Sequence, residues 1–162
     1  MAERGEIRVK YSLDSDAVIN AWRDYHYPIE HFPKIWDWIE AMGRNGVAGM
    51  SEVVFKELER GGDECFKWFK KRKQLFVYPH DNNIQKELQR LVNSYNNFGL
   101  ITGKNEGDPF VVALAIVKDC LVVTNESMSN NLNGPKVPDV CRAEGIQWIK
   151  FVDIIRREEV QF

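Results

Sequence analysis

Acidic residues stand at four places in this sequence where metal chemistry would need them. Asp14 and Asp16 follow residues 8–13, a short β-prone run. Glu57 lies two turns into a helix that Ser51 can cap. Asp108 stands at the expected N-cap of the most apolar helix, with Pro109 at its first position, the favoured place for each residue type. Glu126 follows the apolar run Leu121-Val122-Val123-Thr124. In an open parallel sheet, ligands bind at the carboxyl ends of the strands. Carboxylates gathered at such an edge repel one another, and burial makes the repulsion worse. A hard divalent cation, Mg²⁺ or Mn²⁺, removes that penalty. A donor set without histidine or cysteine favours those ions over Zn²⁺. It suits phosphate-ester hydrolysis, where the metal activates water and steadies the charge developing at phosphorus. Each residue also has a plainer reading. Asp108 and Asp16 can be helix caps, Glu57 a solvated face residue and Glu126 ordinary loop charge. Their joint position on one edge of one expected sheet is what favours the cation.

The elements that would position these groups alternate between strand and helix. After residues 8–13, a helix is expected over residues 17–22. Pro33 opens a second helix, with Ile35, Trp36, Ile39 and Met42 recurring at three- and four-residue steps. Residues 46–50 read as a buried strand. The helix after it has Val54, Phe55 and Leu58 inward and stops at Gly61-Gly62. Residues 63–73 read as helix, 75–78 as strand and 83–96 as a long helix. Residues 120–124 form a near-continuous apolar strand, as expected when both sheet faces are covered. Residues 125–138 read as a polar loop, 146–149 as a last strand and 152–159 as a last helix. This alternation predicts a three-layer α/β/α sandwich with a mainly parallel central sheet of about four or five strands.

Composition bounds the alternatives. The 162 residues are 44% hydrophobic and 12% aromatic, enough for a sizeable core and against whole-chain disorder. No apolar run approaches the roughly 18 residues of a membrane span, and the charged N-terminus lacks a secretory signal's apolar stretch. The chain is therefore expected in the cytoplasm. Twenty-two basic and 24 acidic residues give a net charge of −2. That excludes nucleic-acid binding through bulk positive charge, but not a local basic surface. Cys65, Cys120 and Cys141 are odd in number and widely spaced, so they read as small hydrophobes in a reducing compartment.

Taken in order, the acidic motifs resemble the PIN domain, a family of metal-dependent ribonucleases that includes VapC-type toxins. Leu13-Asp14-Ser15-Asp16-Ala17-Val18-Ile19 resembles its strand-terminal aspartate motif. Residues 51–61, with Glu57-Leu58, resemble its second motif, a helix with a Glu-Leu pair and a nearby glycine. Asp108 before Phe110-Val111-Val112-Ala113-Leu114-Ala115 resembles its third. Val122-Val123-Thr124-Asn125-Glu126 resembles its fourth. Two departures stand out: Asp16 replaces the usual Asn or Ser, and Glu126 stands where aspartate is usual. The resemblance implies a single PIN-like domain over residues 1–162. It implies Asp14, Glu57 and Asp108 as catalytic metal ligands, with Asp16, Glu126 and Asp139 as further candidates. Asp139 lies in Pro138-Asp139-Val140-Cys141. Thr124 would hydrogen-bond a carboxylate or a metal-bound water. The implied activity is Mg²⁺- or Mn²⁺-dependent endonucleolytic hydrolysis of single-stranded RNA, with an antitoxin protein as partner if the chain is a toxin.

Two other readings compete. Asp14-Ser15-Asp16-Ala17-Val18 also fits the opening motif of haloacid-dehalogenase-type phosphatases, with Asp14 as nucleophile. There the threonine-ended strand should precede the Gly-Asp motif, whereas Gly107-Asp108 comes first here, and position 112 is Val rather than Asp. The other reading is a non-catalytic PIN-like module that binds RNA or protein. Lys70, Lys71, Arg72 and Lys73 belong to the one dense basic run and can track an RNA backbone or simply face solvent. The neighbouring Trp68 and Phe69 read as core. Trp22, Tyr25, Tyr27, Phe32, Trp36 and Trp38 make residues 22–38 unusually aromatic; some of them belong in the core, and the surplus offers a homodimer surface or an antitoxin groove. His26, His31 and His80 read as loop or surface groups.

Overall fold

The computed structural model describes residues 8–23, 27–99 and 106–162. In chain order the elements are β1 (Tyr11–Leu13), α1 (Ser15–Arg23), α2 (Pro33–Arg44), β2 (Ala48–Ser51), α3 (Glu52–Gly61), α4 (Glu64–Lys70) and α5 (Lys73–Phe76). There follow β3 (Val77–Tyr78), α6 (Asn82–Ser94), α7 (Asp108–Lys118), β4 (Leu121–Val123), α8 (Val137–Glu144), β5 (Trp148–Ile149) and α9 (Phe151–Arg157). The strands form one sheet in the order β3-β2-β1-β4-β5, and every pairing is parallel. The expected α/β sandwich is the observed fold.

Alternation along β1 assigns the two faces. Ser12 Oγ donates to the Val111 carbonyl of α7 at 2.8 Å. The Tyr11 hydroxyl points the other way and donates to Glu158, just beyond α9, at 2.5 Å. α7 thus covers one face, packed between α6 and α8. It is apolar on nearly every side, with Val111 to Ala115 buried, as a helix enclosed by protein requires. On the other face Trp36 of α2 meets Trp22 at 4.7 Å, Trp68 at 5.4 Å and Phe151 at 5.9 Å between ring centroids. Of the aromatics of residues 22–38, Trp36 is buried and Trp22, Tyr27 and Trp38 are half-buried; Tyr25 and His26 lie outside the described residues. Phe32 remains 42% exposed.

Several boundaries differ from those expected. Residues 75–76 are the end of α5 rather than strand. Phe76 is pinned in the core against α2, so close that a Cβ on Gly43 would stand 2.6 Å from its ring. The expected helix over residues 63–73 is broken between α4 and α5. Helix α8 occupies residues expected to be partly loop. Its start is hidden by Gly134-Pro135 and Pro138, but Pro138 sits in its first turn, where proline is tolerated.

The chain leaves β1 for β2 and β3 on one side of the sheet, then returns to β4 and β5 on the other. The carboxyl ends of β1 and β4 therefore flank the point where the winding reverses, the usual ligand position in such sheets.

Candidate active site

Each acidic residue reaches the carboxyl edge by a different local device. Asp14 ends β1, and its backbone N–H continues the ladder to the Val123 carbonyl at 2.9 Å. Asp16 lies in the first turn of α1. Ser51 ends β2 and caps α3 by accepting from Val53 N at 3.0 Å, which sets the helix that carries Glu57. Asp108 is not the N-cap of α7, as its place before Pro109 had implied. Gly107 is the cap and Asp108 the first helical residue, with no side-chain capping bond. The carboxylate is therefore left for the site.

The structure brings Asp14, Asp108 and Glu126 together: one carboxylate oxygen from each lies within 4.8 Å of the others. Asp14 and Asp108 are 3% and 5% exposed. Glu57 stands at the rim, outside that trio. Ser15 Oγ donates to Glu57 Oε1 at 3.3 Å, and the Gly107 N–H also bonds its carboxylate. Asp16 is a second rim group, and its Oδ1 accepts from Asn125 N at 3.1 Å. Thr124 joins the two strand ends. Its hydroxyl donates to Asp14 Oδ2 at 2.8 Å, lies 3.3 Å from Asp16 Oδ1, and accepts from Glu126 N at 3.2 Å.

The electrostatics fit an ion site. Two unlike protonation states are far easier to hold here than two charges, since a like-charged pair within 4.8 Å costs at least about 3 kcal/mol at an effective dielectric near 20. Burial, then repulsion from Asp16, Asp108 and Glu126, drives Asp14 well above the usual carboxylate range; the Thr124 hydrogen bond opposes this. Burial and the charges of Glu126, Glu57 and Asp16 push Asp108 up to about 9. Burial and the Asp16 charge push Glu126 up to about 7. Glu57 and Asp16 are also raised, first by burial. Lys136 acts against the trend on Asp108 and Glu126. A divalent cation among these oxygens would hold all of them ionised, and an oxygen-only set matches Mg²⁺ or Mn²⁺.

Asp139 is occupied elsewhere. Its carboxylate accepts from Ser129 N, Ser129 Oγ, Asn130 N and Lys136 N at 2.6 to 3.1 Å. Burial raises its pKa, and these bonds outweigh burial and lower it. They tie the loop after Glu126 to the start of α8, where Val137 N reaches Glu126 Oε2 at 3.4 Å. Sequence reasoning missed this arrangement; the signal was an aspartate three residues after Lys136 at a Pro-marked helix start.

The basic run spans the end of α4, the link to α5 and the first residue of α5. Arg72 stacks on Trp68, with its guanidinium carbon 4.1 Å from the ring centroid, and pairs with Glu40. Lys70 and Lys73 lie over the rings of Phe66 and Phe55, and Lys71 is exposed. Phe69 is buried and Trp68 half-buried, as expected. Cys65 and Cys141 are buried, and burial pushes all three thiols up to about 12. His31 and His80 are exposed.

Residues 11–162 match the model of a family described as a domain of unknown function, DUF4411. No curated protein matches the chain. Among solved structures, the chain is similar to VapBC2 from Rickettsia felis, determined bound to a DNA fragment from their promoter. That match has a TM-score of 0.55 at 17% identity over 88% of this chain and 99% of the other. VapBC-1 from nontypeable Haemophilus influenzae gives the same score and identity over 89% and 99%. The fold is thus PIN-like, of the kind seen in VapC. Among the described residues, no helix is long and apolar enough to cross a membrane.

Proposed function

The chain belongs to the DUF4411 family, and we propose that it is a metal-dependent endoribonuclease hydrolysing phosphodiester bonds in single-stranded RNA. The observation that carries this reading is the approach of Asp14, Asp108 and Glu126 to within 4.8 Å at the winding reversal of a PIN-like sheet. Asp14, Asp108 and Glu126 would hold Mg²⁺ or Mn²⁺, with Glu57 and Asp16 completing the negative rim. When bound, the ion supplies an activated water and stabilises charge developing on the phosphate.

The chain's own residues do the positioning. Thr124 fixes the rotamer of Asp14 by hydrogen bonding, and Ser15 and the Gly107 amide fix Glu57. The buried floor formed by Asp14 and Asp108 excludes bulk water, which strengthens every charge interaction at the site. Asp139 serves as the anchor of the loop after Glu126 rather than as a ligand. The likeness to VapBC structures supports an antitoxin protein as partner.

The test is incubation of the wild-type protein with a single-stranded RNA oligomer in Mg²⁺ or Mn²⁺. Endonucleolytic cleavage that stops on chelation is the expected result. Turnover of small phosphomonoesters with a trapped phosphoaspartate at Asp14 would establish the phosphatase chemistry instead. No cleavage in either ion would leave the non-catalytic reading.

A further inference from the structure

A second feature of the carboxyl edge is a small cavity of about 190 Å³ beside the acidic cluster, lined among others by Asn20, Tyr27, Asn125, Lys150 and Phe151. Asn20 lies four residues after Asp16 on α1, so the two side chains share one helix face a single turn apart. Asn125 sits between Thr124 and Glu126, and its backbone amide is the one held by Asp16 at 3.1 Å. Lys150 follows β5. The cavity and the acidic cluster thus share the end of β4 and the helix α1.

Its chemistry is unlike that of the cluster. Among the described residues, neither the Asn20 nor the Asn125 side-chain amide makes a hydrogen bond, so two donor–acceptor pairs are unspent. Tyr27 is half-buried and packed on Phe151 at 5.9 Å between ring centroids, which braces it as a wall. Lys150 is exposed at the rim. The volume falls below the roughly 300–1,000 Å³ of sites that take drug-sized ligands, so it suits one ring system rather than a whole nucleotide. A planar heterocycle with donors and acceptors on its edge matches an aromatic wall and two amides. Asparagine reads base edges in this way, and unstacked bases of single-stranded RNA pack on aromatic side chains. Lys150 stands where an adjoining phosphate would leave.

We propose that this cavity binds one unstacked base of the RNA strand beside the scissile phosphate, read by Asn20 and Asn125. The proposal rests on the ribonuclease reading for its biological substrate, but its test does not use cleavage.

The full-length protein, free of divalent ions, is titrated with the four nucleoside 5′-monophosphates and with ribose 5-phosphate. The side-chain amide signals of Asn20 and Asn125 are followed by NMR. At least one nucleotide is expected to shift both amides, and ribose 5-phosphate neither. Asn20→Ala is expected to weaken that nucleotide about 5-fold or more, read at Asn125. If this variant folds poorly, Asn125→Ala read at Asn20 makes the same comparison. Equal shifts with ribose 5-phosphate, or unmoved amides with all four nucleotides, would overturn the pocket. RNA cleavage without base-dependent shifts would likewise overturn the pocket and leave the nuclease. Base-dependent shifts without cleavage would uphold the pocket and overturn the nuclease.

Discussion

A Cβ atom on Gly107 would stand 2.1 Å from Glu57 Oε1 and 2.8 Å from its Cδ. The Glu57 carboxylate therefore rests against the bare α-carbon of the residue that caps α7 and takes a hydrogen bond from the Gly107 amide. Gly107 has φ of −76°, which alanine adopts freely, so an added methyl group would push away only the end of a flexible side chain. Gly107→Ala is expected to change folding stability by less than about 1 kcal/mol. It should lower metal affinity and RNA cleavage about 10- to 100-fold, as loss of a group that orients a metal site does. Isothermal titration with Mn²⁺, beside thermal unfolding, checks both halves.

Stability and metal binding should both depend on pH. Asp108 moves from 3.8 to about 9 on folding and Glu126 from 4.5 to about 7. Both shifts are upward, so the folded state binds protons more tightly than the unfolded state. The stability these groups contribute is full below about pH 4 and is lost as pH rises through about 9. A divalent cation reverses this by holding the ionised forms. Added Mg²⁺ is therefore expected to raise the melting temperature more at about pH 8.5 than at about pH 6, measured by differential scanning fluorimetry. An equal rise at both values would contradict the account.

Asp139 and Asp14 should fail in opposite ways. Asp139→Ala removes the acceptor of Ser129, Asn130 and Lys136 and is expected to cost about 1–3 kcal/mol of stability. Mn²⁺ stoichiometry should be unchanged, because that carboxylate is spent on the loop. Asp14→Asn should lose the ion while the metal-free protein melts no lower than wild type, since a neutral amide of the same shape replaces a carboxyl whose charged form burial and repulsion disfavour. Urea unfolding and Mn²⁺ titration of the two variants read the contrast.

The fold was legible because its signals are local. Residues 120–124 are apolar enough for a strand covered on both faces, and Ser51 and Pro33 mark helix starts that the structure keeps. The boundaries that moved depend on distant partners: Phe76 is helical because the core opposite Gly43 holds it there. For the site, the sequence pointed to the carboxyl edge and to each carboxylate on it. The resemblance put Glu57 among the leading ligands and Glu126 among the further candidates, whereas the close trio contains Glu126 and not Glu57, because that rank depends on reach. A glutamate two turns into α3 ends at the rim, while Glu126, one residue past Asn125, folds back onto Asp14 and Asp108. The amides of Asn20 and Asn125 gave no signal in the sequence, since nothing there shows that two asparagines a hundred residues apart share one wall.

The most direct test sets wild type against Asp14→Asn on one single-stranded RNA oligomer in Mg²⁺ or Mn²⁺. The substitution removes charge and keeps shape, so the fold is retained, as circular dichroism of the same samples would show. Chelator-sensitive cleavage by wild type and none by the variant is the expected result. Cleavage that persists undiminished in Asp14→Asn would contradict it.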